Sequence, residues 1–434
     1  MPYYIGDVIK DEKRLIARTP EKFRETGIDV RIDTRVEEID PKSRRVRLAG
    51  GETLPYDILV LGTGTKPRMP GIPGEEREGV FTLKKLSDAL RIKAWLKNVP
   101  CRKVIIVGAG FIGMEMSDVI GGLGIETQVF HRGTLPAGRW DPEFSKAVVA
   151  ELGRHQVGFV TEVEVRAVEE GKRYRLRLVT NRGEDEADMI LMAVGVRPET
   201  ELARQMGLPL GKSGAIRVDF SQRTPQDGVY AVGDCAESFH RVSRKWVNIP
   251  LGDIANKQGR IAGRNIGGGS AIFPGIVGSQ CFKVFDLEVA ATGLTERGAA
   301  ESGFHPVSTL IWGNAIAGSM HSPISVNYHS SVSTSGSELS DWYVALCERL
   351  RGEGRNFLAF TNGSPEDVQF LDAIAGRLQR ACGGAFTQKS ASSPTELAQL
   401  VAGLGVLVGH RMHALIAGYS FAVPIFALQW DRKV

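Results

Sequence analysis

The sequence of 434 residues has no apolar run long enough to cross a membrane, and no signal peptide opens it. It carries 54 basic and 50 acidic residues, so its net charge is only +4, and it has no long basic run. These absences argue against a membrane protein, a secreted protein and a nucleic-acid-binding protein. The five cysteines are scattered, with no CxxC pair or metal-like cluster. We therefore expect a reduced cytoplasmic protein without a bound metal.

The segment Val104–Met116, with the sequence VIIVGAGFIGMEM, carries the clearest motif in the chain. Its first four residues are apolar and predict a short buried strand. After the glycines, the apolar residues recur at helical spacing. A strand, a glycine turn and a helix in this order indicate a dinucleotide-binding site. The alternative is a glycine turn in an α/β unit that binds no ligand.

Each part of this turn has a separate physical role in such a site. Gly108 allows the tight turn, Gly110 lets the backbone approach a pyrophosphate, and Gly113 lets the helix pack closely on the strand. The free N–H groups at the helix start, Phe111 and Ile112, and the positive end of the helix dipole would bind the phosphates. We therefore predict nucleotide contacts at all five residues.

The next predicted strand ends at Phe130 and is followed by His131 and Arg132. An acidic residue at this place would bind the ribose 2′-hydroxyl of NADH, whereas an arginine accommodates the 2′-phosphate of NADPH. Arg139 lies nearby in the sequence. We therefore predict that His131 and Arg132 contact the nucleotide and that NADPH is preferred over NADH. The alternative is that Arg132 is only a solvated charge at a strand end.

The rest of the chain also has an α/β pattern, which predicts an α/β fold throughout. The predicted strands before residue 300 are Arg31–Ile39 paired with Arg45–Leu48, then Asp57–Leu61, Met189–Val194 and Val284–Glu296.

The composition changes around Trp312–Ser340, where a stretch rich in Ser and Thr indicates a linker. Beyond it the α/β pattern restarts. It predicts a strand over Asn356–Thr361, helices over 339–351 and 364–380, and a final strand, turn, helix and strand.

Five segments, in this order, resemble the FAD-dependent pyridine nucleotide–disulfide oxidoreductases, nearest to the CoA-disulfide reductase and NADH oxidase branch. They are VLGTGTKPRMPGIPG, VIIVGAGFIGMEM, LMAVGVRPETELA, VYAVGDCAE and IPLGDIANKQGRIAGRNI, and the resemblance covers about residues 1–310. It implies a Rossmann-like NAD(P) domain inserted in an FAD domain, so Gly108 would belong to the family's second fingerprint.

The family's first fingerprint, which holds part of FAD, is not found before this motif. The family's redox cysteine lies in a Cys-Gly-X-Pro-Tyr-Tyr segment, and this sequence begins Met1-Pro2-Tyr3-Tyr4. We therefore expect an N-terminally truncated gene whose product binds nucleotide but retains little flavin.

The resemblance also assigns cofactor-binding residues by position. Asp234 would bind the ribityl or phosphate region of the flavin, with a helix N-cap as its alternative role. Cys235 is expected to be a small buried residue. The helix near Ala255 would direct its N-terminus at the flavin ring. The full set of residues assigned in this way is Thr63, Gly64, Gly195, Gly233, Asp234 and Ala255.

The mechanism implied by the resemblance passes hydride from NAD(P)H to FAD and electrons to a small-molecule acceptor, either a disulfide such as CoA disulfide or oxygen. The family forms homodimers. Since most of its dimerisation domain would be missing after VFDLEVA, we do not expect the usual dimer here. We instead expect exposed apolar strand edges near Cys281–Ala290.

From about Ser322 onward the chain resembles the polysaccharide pyruvyl transferases, mainly through VGHRMHALIAGYSFAVPIFALQWDRKV. Arg411 and His413 match basic residues that would meet an anionic substrate at a helix start, although His413 could be a packed histidine. Three functions therefore stay open: a flavin-dependent oxidoreductase, a pyruvyl transferase, and a nucleotide-binding remnant without activity.

Together these observations predict five regions in chain order. They are a partial FAD domain (1–98), an NAD(P)-binding Rossmann domain (99–220), the second part of the FAD domain (221–275), a dimerisation remnant with the junction (276–320), and a pyruvyl-transferase-like Rossmann half-domain (321–434).

Overall fold

The structure is a computed structural model that divides into two compact units, Met1–Pro306 and Val307–Val434. None of the described helices is both long and apolar enough to cross a bilayer. The described residues are 1–136, 140–308, 311–313, 325–327, 344, 348, 357–361, 372, 375–381, 386–390, 407–409 and 425–427.

The first unit contains strands and helices in alternation. Its strands are β1 (Val36–Asp40), β2 (Arg45–Leu48), β3 (Thr53–Pro55), β4 (Leu59–Leu61), β5 (Thr65–Pro67), β6 (Val80–Phe81), β7 (Lys103–Val107), β8 (Glu126–Phe130), β9 (Gly158–Val160), β10 (Val165–Glu170), β11 (Leu176–Thr180), β12 (Gly183–Ala187), β13 (Met189–Met192), β14 (Val196–Pro198), β15 (Val229–Ala231), β16 (Ser238–His240), β17 (Lys245–Val247), β18 (Gln280–Val284) and β19 (Leu287–Ala291). Its helices are α1 (Pro2–Ile5), α2 (Pro20–Arg24), α3 (Leu86–Asn98), α4 (Phe111–Gly122), α5 (Pro142–Arg154), α6 (Glu201–Gln205), α7 (Gly252–Ile266) and α8 (Glu296–Ala300), with 3-10 helices at Glu12–Leu15 and Gly233–Cys235.

A five-stranded parallel sheet in the order β6-β13-β7-β8-β9 forms the centre of the first unit. Its middle strand β7 is buried along its whole length and is nearly all aliphatic. Helices α4 and α5 cover one face, and the antiparallel sheet β10-β11-β12 covers the other. Parallel strands buried on both faces need such continuous apolar runs. The predicted α/β fold class is confirmed.

A second, smaller core lies under the parallel pair β4–β15 and the antiparallel sheet β1-β2-β3. Antiparallel strands β5 and β14, with Thr65 opposite Pro198, connect this core to the central sheet. The first strand starts at Val36 rather than at the predicted Arg31, because Asp33 has a φ of +53° that breaks the extended backbone. The strand predicted over Asp57–Leu61 is shorter, Leu59–Leu61.

The predicted single strand over Val284–Glu296 is wrong, because the chain reverses at Phe285 and Asp286. Phe285 has a φ of +50°, and Val284 pairs with Leu287 in the hairpin β18–β19. Of the apolar residues in the region expected to have exposed strand edges, Cys281 and Ala290 are exposed. Phe282, Val284 and Val289 are buried in the same core as α4 and α5.

A buried carboxylate fastens this hairpin to α5. Glu151 is 2% exposed, and its Oε1 accepts the backbone N–H of Asp286 at 2.9 Å. Its Oε2 lies 2.6 Å from Arg154 Nη1, and its Oε1 lies 3.4 Å from His155 Nε2. The His155 ring stacks on Phe285 with centroids 4.0 Å apart. The hairpin turn is thus held by charge, hydrogen bonding and ring packing together.

The second unit has three described strand pairs. They are β20 (Ile311–Gly313) antiparallel to β21 (Ser325–Asn327), β22 (Phe357–Thr361) parallel to β23 (Phe386–Ser390), and β24 (Leu407–Gly409) parallel to β25 (Ile425–Ala427).

The predicted strand over 356–361 is confirmed as β22, and β24 and β25 match the two strands predicted at the end. Residues 375–381 are helical, and all but the last of them fall within the helix predicted over 364–380. Strand β23 was not predicted, because its sequence FTQKS is mostly polar. Arg411 and His413 lie outside the described residues.

Replacing Glu151 by Ala should lower the free energy of unfolding of the chain by about 1–3 kcal/mol, since the Asp286 amide loses its buried acceptor. Urea unfolding would measure this loss. Glu288→Ala is the control, because Glu288 is exposed on β19 of the same hairpin. An equal effect of both substitutions would show that Glu151 does not fasten the hairpin.

Candidate functional site

The glycine turn lies at the carboxyl end of β7, in the middle of the parallel sheet, and leads directly into α4. Gly108 has a φ of +110°, and a Cβ there would overlap the carbonyl oxygen of Ala193, just beyond β13. A Cβ on Gly113 would overlap the carbonyl oxygen of Gly108. Glycine is therefore required at both places by the packing of helix and strands.

Gly110 differs, because no described residue outside its chain neighbours and its own helix lies within 4 Å of where its Cβ would be. Internal packing therefore does not require a glycine here, and the space in front of the backbone is open to a ligand. Gly110 is the N-cap of α4 and no side chain caps this helix. The N–H groups of Phe111 and Ile112 are thus available to the phosphates of a ligand.

The residues predicted to face the ribose lie beside this turn. Val107 pairs with Phe130 in the parallel ladder, and the Gly108 N–H donates to the Phe130 carbonyl at 2.7 Å. His131 and Arg132 therefore leave the sheet edge next to the glycine turn.

The two side chains differ in charge. The His131 ring is half-buried and stacks on Phe159 at 6.2 Å. Burial is the largest effect and lowers the pKa of His131. A backbone hydrogen bond to Leu135 raises this pKa by a smaller amount, and the charge of Arg132 lowers it further. The ring is therefore neutral at pH 7, and exposed Arg132 supplies the positive charge. Arg139 lies outside the described residues.

A second group of predicted residues gathers at the carboxyl ends of β4 and β15, which are neighbours with Leu61 opposite Ala231. The turn after β4 contains Thr63 and Gly64, and the turn after β15 contains Gly233 and Asp234.

The turn after β4 is tied to the end of β14. Thr63 Oγ1 donates to the Glu199 carbonyl at 2.5 Å, and the Glu199 N–H donates to the Gly64 carbonyl at 2.9 Å. The Thr63 hydroxyl proton is therefore already used in the hydrogen bond to the Glu199 carbonyl. Gly64 has open space where a Cβ would be, and so has Gly195, which precedes β14.

The turn after β15 packs against α7. A Cβ on Gly233 would be in contact with the Ala255 Cβ at 3.4 Å, and the Gly233 N–H donates to Gln258 Oε1 at 2.7 Å. Ala255 is thus placed directly beside the Gly233-Asp234 turn, near the start of a helix that no side chain caps.

The alternative role considered for Asp234, that of a helix N-cap, is not observed. The N-cap of the Gly233–Cys235 helix is Val232, and that of α7 is Leu251. The Asp234 carboxylate instead pairs through Oδ2 with Lys84 Nζ at 2.9 Å and lies 3.4 Å from Thr65 Oγ1. The next residue, Cys235, is buried, as predicted.

Sequence reasoning missed three residues at this second group. They are Lys84, Asn248, whose Nδ2 donates to the Asp234 carbonyl at 2.9 Å, and Lys66, which pairs with Glu199 at 2.6 Å. Lys84 is 150 residues from Asp234 in the chain, and no local pattern marks such a pair.

The structure therefore brings the predicted residues together in two groups. The first, at the edge of the central sheet, contains Gly108, Gly110, Phe111, Ile112, Gly113, His131 and Arg132. The second, at the ends of β4 and β15, contains Thr63, Gly64, Gly233, Asp234 and Ala255, while Gly195 lies on the connection from β13 to β14.

Known families match both units of the chain. Residues 4–259 match the family described as pyridine nucleotide-disulphide oxidoreductase, and residues 313–432 match polysaccharide pyruvyl transferase.

Similar proteins are found among curated relatives and solved structures. The chain is 34% identical over 304 residues to an NAD(P)H coenzyme A polysulfide/persulfide reductase of Pyrococcus horikoshii, an alignment covering 69% of this chain and 68% of the relative. It is 34% identical over 301 residues to an NADH oxidase of Methanocaldococcus jannaschii, covering 68% and 67% of the two chains. The structure of an NAD-dependent persulfide reductase from A. fulgidus superposes with a TM-score of 0.70 at 35% identity. That similarity covers 75% of this chain but only 61% of the other.

Replacing Gly113 by Ala should raise the Kd for NADPH by at least about tenfold, because the added Cβ forces the Gly108 carbonyl and the phosphate-facing turn to move. Titration of NADPH fluorescence on the purified chain would measure this change.

Gly122→Ala is the matched control on the same helix, because a Cβ there would meet none of the described residues outside that helix within 4 Å. It should leave the Kd for NADPH unchanged. Unchanged NADPH affinity in Gly113→Ala would contradict the role given to the turn.

Proposed function

The chain belongs to the pyridine nucleotide-disulphide oxidoreductase family, and from that membership we propose that it is an FAD-dependent NAD(P)H oxidoreductase. In this activity NAD(P)H would be the hydride donor, the bound flavin would accept the hydride, and a small disulfide or oxygen would be the final electron acceptor. The observation that carries this proposal is the open backbone at Gly110, in front of an uncapped helix at the edge of a parallel sheet.

In this proposal the nucleotide is held by backbone and side-chain groups of different kinds. The amides of Phe111 and Ile112 donate to the diphosphate, which the α4 dipole also favours. Arg132 meets the 2′-phosphate of NADPH, while the neutral His131 ring lines the ribose. The cation that distinguishes NADPH from NADH is therefore Arg132.

FAD supplies the chemistry of accepting a hydride and releasing electrons to an acceptor. The residues placed to hold it are those at the ends of β4 and β15. Asp234 is 18% exposed, and no described residue donates to its Oδ1, which suits a carboxylate that accepts from a ribityl hydroxyl. Lys84 neutralises the same carboxylate through Oδ2. The uncapped start of α7 favours negative charge on a bound ring.

The described cysteines do not offer a ready redox partner. Burial, with a smaller contribution from Asp188, raises the pKa of Cys101 to about 12, and Cys235 is fully buried. Cys281 is exposed on β18, and none of the three is bonded to another. Since the thiolate is the reactive form of cysteine and must be accessible, neither Cys101 nor Cys235 is suited to reduce an acceptor.

A direct assay tests the function and separates the two acceptors. The chain supplied with FAD should oxidise NADPH either in air or, without oxygen, when CoA disulfide is added. Failure under both conditions would contradict the proposal.

Other properties stay at the level of proposals. We propose that the homodimer of the family does not form in its usual way, because the second family match begins at residue 313.

Cytoplasmic location also stays a prediction. Pyruvyl transfer is a second candidate for residues 313–432 alone, where that family matches, and pyruvylation of a sugar by phosphoenolpyruvate would distinguish it.

Replacing Arg132 by Ala should raise the Kd for NADPH by about tenfold and leave the Kd for NADH unchanged, because only NADPH carries the 2′-phosphate. Parallel fluorescence titrations of the two nucleotides would measure both values. Arg166→Ala, which removes an exposed arginine from β10, should change neither. Equal losses for both nucleotides after Arg132→Ala would rule out this basis of selectivity.

Replacing Asp234 by Asn should raise the Kd for FAD by about tenfold, because the charged acceptor and its pairing with Lys84 are lost together. Quenching of flavin fluorescence on titration into the chain would give the Kd. Asp227→Asn, at an exposed carboxylate paired with Arg44, is the control and should bind FAD as the unmodified chain does. Identical FAD affinities in the two variants would remove Asp234 from the flavin site.

A further inference from the structure

Three aromatic rings join the hairpin β18–β19 to the start of α4. The centroid of Phe282, on β18, lies 5.3 Å from that of Phe111 and 5.6 Å from that of Trp140. Phe111 and Trp140 are 6.1 Å apart in an edge-to-face arrangement. These distances are those of favourable aromatic pairs, so the three rings hold one another in place.

The three rings come from three segments of the chain, two of which adjoin the glycine turn. Phe111 is the first residue of α4 and directly follows Gly110. Trp140 ends the segment that begins with His131 and Arg132. Phe282 comes from a part of the chain well beyond both, and it is 6% exposed.

The position of Trp140 is determined by these ring contacts rather than by polarity. Its side chain is 8% exposed, and its indole Nε1 is buried without a hydrogen-bond partner among the described residues. A buried N–H without an acceptor is unfavourable. Packing against Phe111 and Phe282 must therefore outweigh that cost.

The other end of the hairpin is fixed to the far end of α4 and to α5. A Cβ added at Gly121 would meet the Phe285 ring at 3.2 Å, so the ring lies close against the helix. Glu151 accepts the Asp286 N–H, as described above. Further on, the Glu296 N–H donates to Asp141 Oδ1 at 2.9 Å, directly after Trp140. The hairpin thus spans α4 from its last turn to its first.

We propose that Phe282 is a positioning residue for nucleotide binding, acting through Phe111 and Trp140. The first turn of α4 has no side-chain cap, so the position of its free N–H groups depends on packing, to which the Phe111 contacts contribute beside the Gly108–Gly113 contact. Phe282 fixes that ring and the Trp140 end of the neighbouring segment at once. The donors are therefore oriented before the ligand arrives, which lowers the cost of binding. This inference rests on the proposed function of the Gly108–Gly113 turn.

The test compares two substitutions on the same face of β18 in the full chain. Phe282→Leu removes the ring but keeps an apolar side chain, whereas Val284→Ala removes buried volume at a residue that is 0% exposed and belongs to none of the three ring contacts. Both variants should lower the Tm. Phe282→Leu should raise the Kd for NADPH by about fivefold, whereas Val284→Ala should keep it within about twofold of the unmodified chain.

A spectroscopic signature separates positioning from general loss of stability. NADP⁺ does not absorb tryptophan emission, so an emission change on its binding reports a local change around a tryptophan. This change should be present in the unmodified chain, absent in Trp140→Phe and reduced in Phe282→Leu at saturating NADP⁺.

Two outcomes would overturn the inference while the proposed function stands: NADPH binding that is equally affected by Phe282→Leu and Val284→Ala, or an emission change that persists in Trp140→Phe. Absence of NADPH binding by the unmodified chain would overturn the proposed function and the inference together.

Discussion

The contact between the Cα of Gly113 and the carbonyl of Gly108 is the constraint on which the rest of the site depends. No side chain fits between them, so α4 packs tightly against the end of β7. This packing aims the N-terminus of α4 at the carboxyl edge of the parallel sheet. The same edge receives the segment after β8, where Arg132 lies, and the carbonyl of Ala193 after β13. This steric requirement fixes how closely the start of α4 approaches the sheet, and the β7–β8 pairing places Arg132 at the same edge.

Polar contacts then tie the predicted flavin residues to the central sheet. Glu199, beyond β14, accepts from Thr63, donates to Gly64 and pairs with Lys66. Lys84 reaches from the segment before α3 to Asp234. The Lys84 contact, which starts just after β6, crosses from the central sheet to the smaller core. The Glu199 contacts fix the turn after β4 to the end of β14, beside the β5–β14 pair.

The hairpin β18–β19 packs into the core of the first unit. It lies in the segment that is predicted from the sequence to be a remnant of a dimerisation domain. In this structure its apolar residues are buried against α4 and α5, and Glu151 fixes its turn. Burial of Phe282 and Val284 within the same unit removes the apolar surface that an unpaired hairpin would expose. The second unit, with its separate family match, follows this hairpin after residue 306.

The sequence by itself determined the α/β class, the strand–turn–helix at Gly108–Gly113, the neighbouring arginine and the family, because these depend on residues close together in the chain. Spacing and residue type specify such local geometry directly. Only the tertiary structure decided that Lys84 faces Asp234, that Glu199 holds the turn after β4, and that Phe282 packs on Phe111. It also decided that the chain reverses at Phe285, where a bulky residue adopts a left-handed backbone. These features join residues far apart in sequence or depend on packing from a distant helix, and a local pattern contains no information about such partners.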